Sequence, residues 1–155
     1  MIEFVLLVNK QGQTRLSRYF VDKTRQERSA LESEVVRTCL SRKDRQCSFF
    51  DWRDVKVVYR RYASLFFLVG SRNPTSREED ADNEIALLEL IQCFVESLDA
   101  FFTSVCELDI MYNLEKAHFI LDEMVQNGRI VETNKKNVLA TVKQLDVRDK
   151  TLKSK

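Results

Sequence analysis

The longest helical pattern of hydrophobic and polar positions lies between residues 104 and 128. There Ile110, Leu114, Ala117, Leu121 and Met124 recur at helical spacing, which predicts a single helix with an apolar stripe against a core. Ser104 and Glu107 form a capping-box pattern at its start, and Asn127-Gly128 forms a left-handed C-terminal cap at its end. Leu108, Tyr112 and Phe119 fall on a different side of the same helix. A second apolar face needs cover, so the helix is expected between a sheet and either another helix or a partner chain.

The preceding pattern is strand-rich. Residues 2–8 are almost continuously apolar, which predicts a central strand buried on both faces. Asn9-Lys10-Gln11-Gly12 is a turn signal, and residues 14–20 then alternate loosely, so the two runs form a hairpin whose second strand carries Arg15 and Arg18 and suits an edge. Asp22-Lys23-Thr24 followed by Glu27 starts a helix reaching about Ser41, with Leu31, Val35 and Cys39 as a narrow stripe. Three short β-rich runs follow, at 47–52, 55–59 and 63–69, with short links (Arg53-Asp54 and Arg60-Arg61-Tyr62) that favour antiparallel pairing.

Residues 70–83 contain the chain's only proline, Pro74, and the charged run Arg77-Glu78-Glu79-Asp80, which reads as a solvated loop. Asp82 or Asn83 caps a core helix reaching about Thr103, with Leu87, Ile91, Phe94, Val95, Leu98 and Phe102 on one wide face. Thr133 or Asn134 caps a last helix built on Val138, Leu139, Val142 and Leu145. The predicted class is α+β, one domain over residues 1–146 in the order β-β-α-β-β-β-α-α-α, followed by a basic, disordered tail over 147–155.

Composition narrows the function classes. A chain of 155 residues has room for one domain burying roughly 70% of its unfolded surface. The 25 basic and 24 acidic residues nearly cancel, so no global field attracts nucleic acid or an anionic membrane, and membrane association is expected only indirectly. Residues 1–8 carry Glu3 and turn polar at Asn9, which fits neither a signal peptide nor a membrane span, and a cytoplasmic location is expected.

Cys39, Cys47, Cys93 and Cys106 are widely spaced and accompany a single histidine, so buried reduced thiols are expected rather than a metal site or disulfides. His118 sits near the edge of the helical stripe as a packed side chain rather than a general base. Glu107, Asp109, Asp122 and Glu123 occupy polar arcs, where solvation accounts for them. With three glycines and no phosphate loop or nucleophile elbow, neither an enzyme nor a cofactor is predicted.

One string changes the reading. Asp-Trp-Arg-Asp-Val-Lys-Val-Val-Tyr-Arg-Arg-Tyr-Ala-Ser-Leu-Phe-Phe, over residues 51–67, resembles the signature of the small (sigma) chains of heterotetrameric clathrin-adaptor-type complexes. In that signature two aliphatics precede Tyr-Lys/Arg, and a Leu-aromatic-aromatic follows. The resemblance continues through Phe94-Val95-Glu96, Val105-Cys106-Glu107-Leu108-Asp109 and Leu121-Asp122-Glu123-Met124. Within the family, residues 8–17 and 127–134 look most like the sigma chain of the fourth adaptor complex, whereas residues 47–65 look equally like that of the first.

The resemblance implies a longin-like (SNARE-like) fold, an antiparallel five-stranded sheet with helices on both faces. It implies a subunit clasped by a large adaptin chain, alongside a second large chain and a medium (mu) chain. Such a complex collects transmembrane cargo into vesicles on the cytosolic face of trans-Golgi network or endosomal membranes, where an Arf-type small GTPase acts on the whole complex. No clathrin is expected for a fourth-type complex.

Some members hold an acidic dileucine signal, an acidic residue followed after three positions by Leu-Leu or Leu-Ile. By position, Arg15 matches the basic residue facing the acidic end, and Ala63, Leu65, Val95, Val105 and Ile110 match the apolar lining. Ser104 stands where well-studied members have Asn, and Ile110 where they have Leu. Leu108, Tyr112 and Phe119 become candidates for the subunit interface. The alternative, a stand-alone longin-type regulator of a SNARE or small GTPase, expects a heptad segment or membrane anchor after the domain, and residues 147–155 are short and polar.

Overall fold

The computed structural model describes residues 1–43, 45–72 and 84–153. The loop reading at 73–83 and the caps Asp82 and Asn83 lie outside the described residues. Strand β1 (Ile2–Asn9) is buried at every position. It pairs with β2 (Thr14–Tyr19) on one side and β5 (Leu65–Arg72) on the other, and β4 (Val55–Tyr62) and β3 (Phe49–Trp52) complete a five-stranded antiparallel sheet in the order β2-β1-β5-β4-β3. The predicted longin-like sheet is therefore present, with β2 on an edge and β1 inside.

A strand that is apolar at consecutive positions sends alternate side chains to two cores. Phe4, Leu6 and Val8 meet Leu31, Val35, Val36 and Cys39 of helix α1 (Arg25–Ser41). Val5 and Leu7 face the second core with Leu16, Leu65, Phe67 and the helices of the chain's second half. Helix α1 starts where its sequence says: Thr24 Oγ1 accepts from the Glu27 amide at 3.2 Å, and Glu27 Oε2 accepts from the Thr24 amide at 2.7 Å.

The second face is covered by α2 (Glu84–Phe102), α4 (Leu114–Met124) and α5 (Lys135–Lys153), with the short α3 (Glu107–Tyr112) beside β2. Leu87, Ile91, Phe94 and Leu98 of α2 are buried, and Phe94 meets Phe67 of β5 edge-on with ring centroids 5.9 Å apart. Among the described residues no helix is long and apolar enough to cross a membrane.

Several expectations are corrected. The single helix over 104–128 is two helices: at Asn113 the backbone leaves helical geometry (φ −129°, ψ 41°), and the Asn113 side chain donates back to the Asp109 carbonyl at 3.2 Å. Ser104 does not cap it. Thr103 and Ser104 have left-handed φ values of 55° and 69°, and the Ser104 amide donates to the Asp99 carbonyl, so this pair terminates α2 instead. The reciprocal contact at the start of α3 is from the Cys106 amide to Asp109 Oδ2, at 2.9 Å.

Asn127-Gly128 likewise closes no helix. With φ of 52° and 78°, the pair forms the two-residue turn of a small hairpin, β6 (Val125–Gln126) and β7 (Arg129–Ile130). The hairpin docks on the start of the sheet, where the Ile2 amide donates to the Gly128 carbonyl at 2.8 Å.

Strand β4 runs on through Arg60, Arg61 and Tyr62, which pair with Phe67, Phe66 and Leu65, so the link to β5 is only Ala63-Ser64. The residues read as a frayed tail from Val147 continue α5 to Lys153. Cys39 and Cys93 are buried as expected, with burial pushing the Cys39 thiol up to about 12, but Cys47 and Cys106 are exposed. Cys47 lies in the connection before β3 and Cys106 at the start of α3, neither of which faces a core.

Gly70 belongs to β5 rather than to a loop, opposite Phe4. A Cβ there would stand 2.2 Å from the Phe4 ring, so the missing side chain is what lets this ring lie across the strand. Gly70→Ala is expected to destabilise the fold by about 1–3 kcal/mol through displacement of a fully buried ring. A urea unfolding midpoint equal to that of the wild type refutes the close-approach explanation.

Candidate functional site

The corner where β2 meets the start of α3 collects most of the residues matched to a signal-binding site. Asn9 ends β1 almost fully buried, and its Oδ1 accepts from the Gln11 and Gln13 amides at 3.1 and 2.8 Å, which shapes the β1–β2 turn. Its Nδ2 donates to Gln13 Oε1 at 2.8 Å and to Glu107 Oε1 at 2.9 Å. Arg15 on β2 donates from Nε to the same Glu107 oxygen at 2.6 Å and from Nη2 to Gln13 Oε1 at 2.9 Å. Four side chains thus close a network joining the sheet edge to α3.

The network is partly open to water, with Arg15 and Glu107 side chains 26% and 24% exposed. Hydrogen bonds from Asn9, then from Arg15, hold the Glu107 carboxyl below the usual glutamate range. Arg15 is therefore not a bare surface cation. It is positioned by a carboxylate 92 residues away in the sequence.

Four of the apolar members are closed inside the large core. Leu65, Val95, Val105 and Ile110 are 1%, 4%, 4% and 0% exposed and share one core cluster. Ala63 and Ser104 are exposed, Ala63 in the turn between β4 and β5 with a left-handed φ of 53°. Asp99 ties the corner above them: its carbonyl accepts from the Ser104 amide at 3.1 Å and its Oδ1 from the Val105 amide at 2.9 Å. A hydrogen bond from the Tyr62 hydroxyl to Asp99 raises that phenol above its ordinary value.

The residues proposed as an interface separate. Leu108 and Tyr112 are 56% and 81% exposed, whereas Phe119 is half-buried and packs against the chain's own core. Met111 and Leu114 are also exposed, so the open apolar strip runs over α3 and the first residue of α4. Leu114, placed in the core stripe by spacing, faces outward because the break at Asn113 resets the helical phase.

Elsewhere the candidate chemistry has structural roles. His118 is half-buried; burial lowers its pKa, Asp122 opposes that and Arg18 adds to it, which leaves the ring neutral near pH 7. Among the described residues no group of three or more His, Cys, Asp or Glu could hold a metal ion. The sequence presents Asn9 only as a turn residue, Gln13 only within the string 8–17 and Glu107 as a cap or solvated side chain, and it does not single out Asp99. Their roles rest on contacts across the fold, and the one local hint was a polar Asn closing a buried strand.

Comparison with known proteins agrees with this architecture. The family model of the clathrin adaptor complex small chain matches residues 1–149. The AP-4 complex subunit sigma of Arabidopsis thaliana is 57% identical over 145 residues, covering 94% of this chain and 96% of that one. The AP-1 complex subunit sigma-1A of Homo sapiens is 46% identical over 147 residues, covering 95% and 89%. The higher value lies with the fourth-type chain, as the strings at 8–17 and 127–134 suggested. A chain of the structure described as a homology model of the full-length AP-3 complex in a stretched open conformation superposes with a TM-score of 0.73 at 31% identity, covering 99% and 98%. From its sheet order to its signature strings, this chain belongs to the clathrin adaptor complex small chain family.

Proposed function

We propose that this chain is the small subunit of a heterotetrameric adaptor complex in vesicle-mediated transport and that, within the assembled core, it holds acidic dileucine signals of transmembrane cargo. The observation that carries the reading is the Arg15–Glu107 contact, which sets a basic side chain at the start of the short helix bearing Ile110, beside Val105. A peptide with an acid before two leucines needs that combination of a cation and an apolar wall. The exposed strip of Leu108, Met111, Tyr112 and Leu114 is the face on which a large chain would close, and a medium chain and second large chain complete the assembly.

Energetics fit transient capture. Burying two leucine side chains contributes about 3–6 kcal/mol against association costs of several kcal/mol, so the leucines alone leave a complex weaker than micromolar. The aliphatic wall is closed in the isolated chain, so admission of the leucines requires side chains at the corner to move. Binding is accordingly assigned to the assembled core rather than to the free subunit.

Two measurements test the reading. Purification of the tagged chain from its own cells is expected to recover two large chains and one medium chain, and a stable monomer with catalytic turnover overturns the adaptor role. A Glu-x-x-x-Leu-Leu peptide titrated onto the assembled core is expected to bind about 3–10-fold more weakly to Arg15→Ser, for loss of one partly exposed charge-assisted contact. Val95→Asp is expected to abolish binding by placing a charge in the apolar wall. Ala63→Asp, on an exposed turn whose left-handed backbone Asp tolerates, serves where Val95→Asp disrupts assembly. Equal binding by wild type and variants removes the site assignment.

A further inference from the structure

Building on the dileucine reading, we propose that Glu107 is a specificity-determining residue, an internal counter-ion that sets how strongly the site prefers an acidic side chain in the peptide. Glu107 Oε1 lies 2.6 Å from Arg15 Nε and 2.9 Å from Asn9 Nδ2. Gln13 Oε1 takes a second donor from each, 2.9 Å from Arg15 Nη2 and 2.8 Å from Asn9 Nδ2. Two of the five guanidinium N–H donors are thereby engaged inside the chain, and the others remain for a ligand.

The charge balance of this cluster is the point. Arg15 carries +1, Glu107 carries −1, and Asn9 and Gln13 are neutral, so the network sums to zero. An incoming carboxylate that reaches the guanidinium also approaches Glu107. Attraction and repulsion largely offset one another, and the acid is rewarded mainly through hydrogen-bond geometry.

Because the network is partly exposed, the effect is graded rather than absolute. Like unit charges about 5 Å apart in a water-like dielectric change an affinity about fourfold, falling toward about twofold at physiological salt. Glu107→Gln keeps an oxygen for Asn9 and Arg15 while removing the charge. Gln13→Glu does the reverse, placing a second carboxylate on the same guanidinium.

Calorimetric titration of the assembled core with Glu-x-x-x-Leu-Leu and Gln-x-x-x-Leu-Leu peptides reads this out as the ratio of the two affinities. At low ionic strength Glu107→Gln is expected to raise the acid preference about fourfold, with the change confined to the acidic peptide and shrinking on addition of salt. Gln13→Glu is expected to lower it, and it decides the matter if the first variant does not assemble. A preference unmoved or moved in the opposite sense overturns the role of Glu107, and leaves the dileucine reading intact so long as the wild type binds. If the wild-type core binds neither peptide, the dileucine reading itself fails and the role of Glu107 fails with it.

Discussion

All eight residues of β1 are shielded from water, and the rest of the molecule follows from satisfying that strand. A strand with no solvent face must sit inside a sheet covered on both sides. One side needs little, because Phe4, Leu6 and Val8 are met by the narrow stripe of a single helix. The other side also carries the large side chains of β5, and it takes α2, α4 and α5 to close it. Of the two sheet edges, β2 and β3, the first carries Arg15 and Arg18 and is the one that α3 passes. The candidate site occupies that edge, where the Arg15 guanidinium keeps partial contact with water.

The contrast between two similar strings shows how far local pattern reaches. Thr24-x-x-Glu27 and Ser104-x-x-Glu107 both fit a capping box, and only the first forms one. Glu27 lies on an exposed helix start and closes on its own turn. Glu107 instead finds Arg15 and Asn9, a cation and a buried amide brought in by the sheet, and these outcompete a single backbone amide. Ser104 is then free to end the preceding helix in a left-handed conformation. Asn127-Gly128 is the same kind of case: its two positive φ values were legible, but whether they terminate a helix or turn a hairpin depends on the chain that returns afterwards.

The strands, their antiparallel pairing and the core faces of α1 and α2 could be read directly because each follows from a local apolar run, a short link or a helical period. The cluster of Leu65, Val95, Val105 and Ile110 could be named only by resemblance. A side chain lining a closable pocket and one filling a permanent core obey the same burial rule. By exposure the four are indistinguishable from core, and only Val105 and Ile110 lie close in sequence to Glu107, the carboxylate that holds Arg15. The surplus apolar face divides in the same way: Phe119 packs against the chain's own core, while Leu108 and Tyr112, with Met111 and Leu114, are exposed.

Recognition that must be reversible benefits when no single term dominates. In the proposed dileucine complex, burial of two leucines would supply about 3–6 kcal/mol, and an unopposed buried Arg–carboxylate contact, about 1.5–3 kcal/mol, would push residence times upward by one to two orders of magnitude. A guanidinium partly open to water and already matched by Glu107 can contribute only a fraction of that. The same contact that fixes α3 against the sheet edge therefore leaves that edge with little unopposed charge.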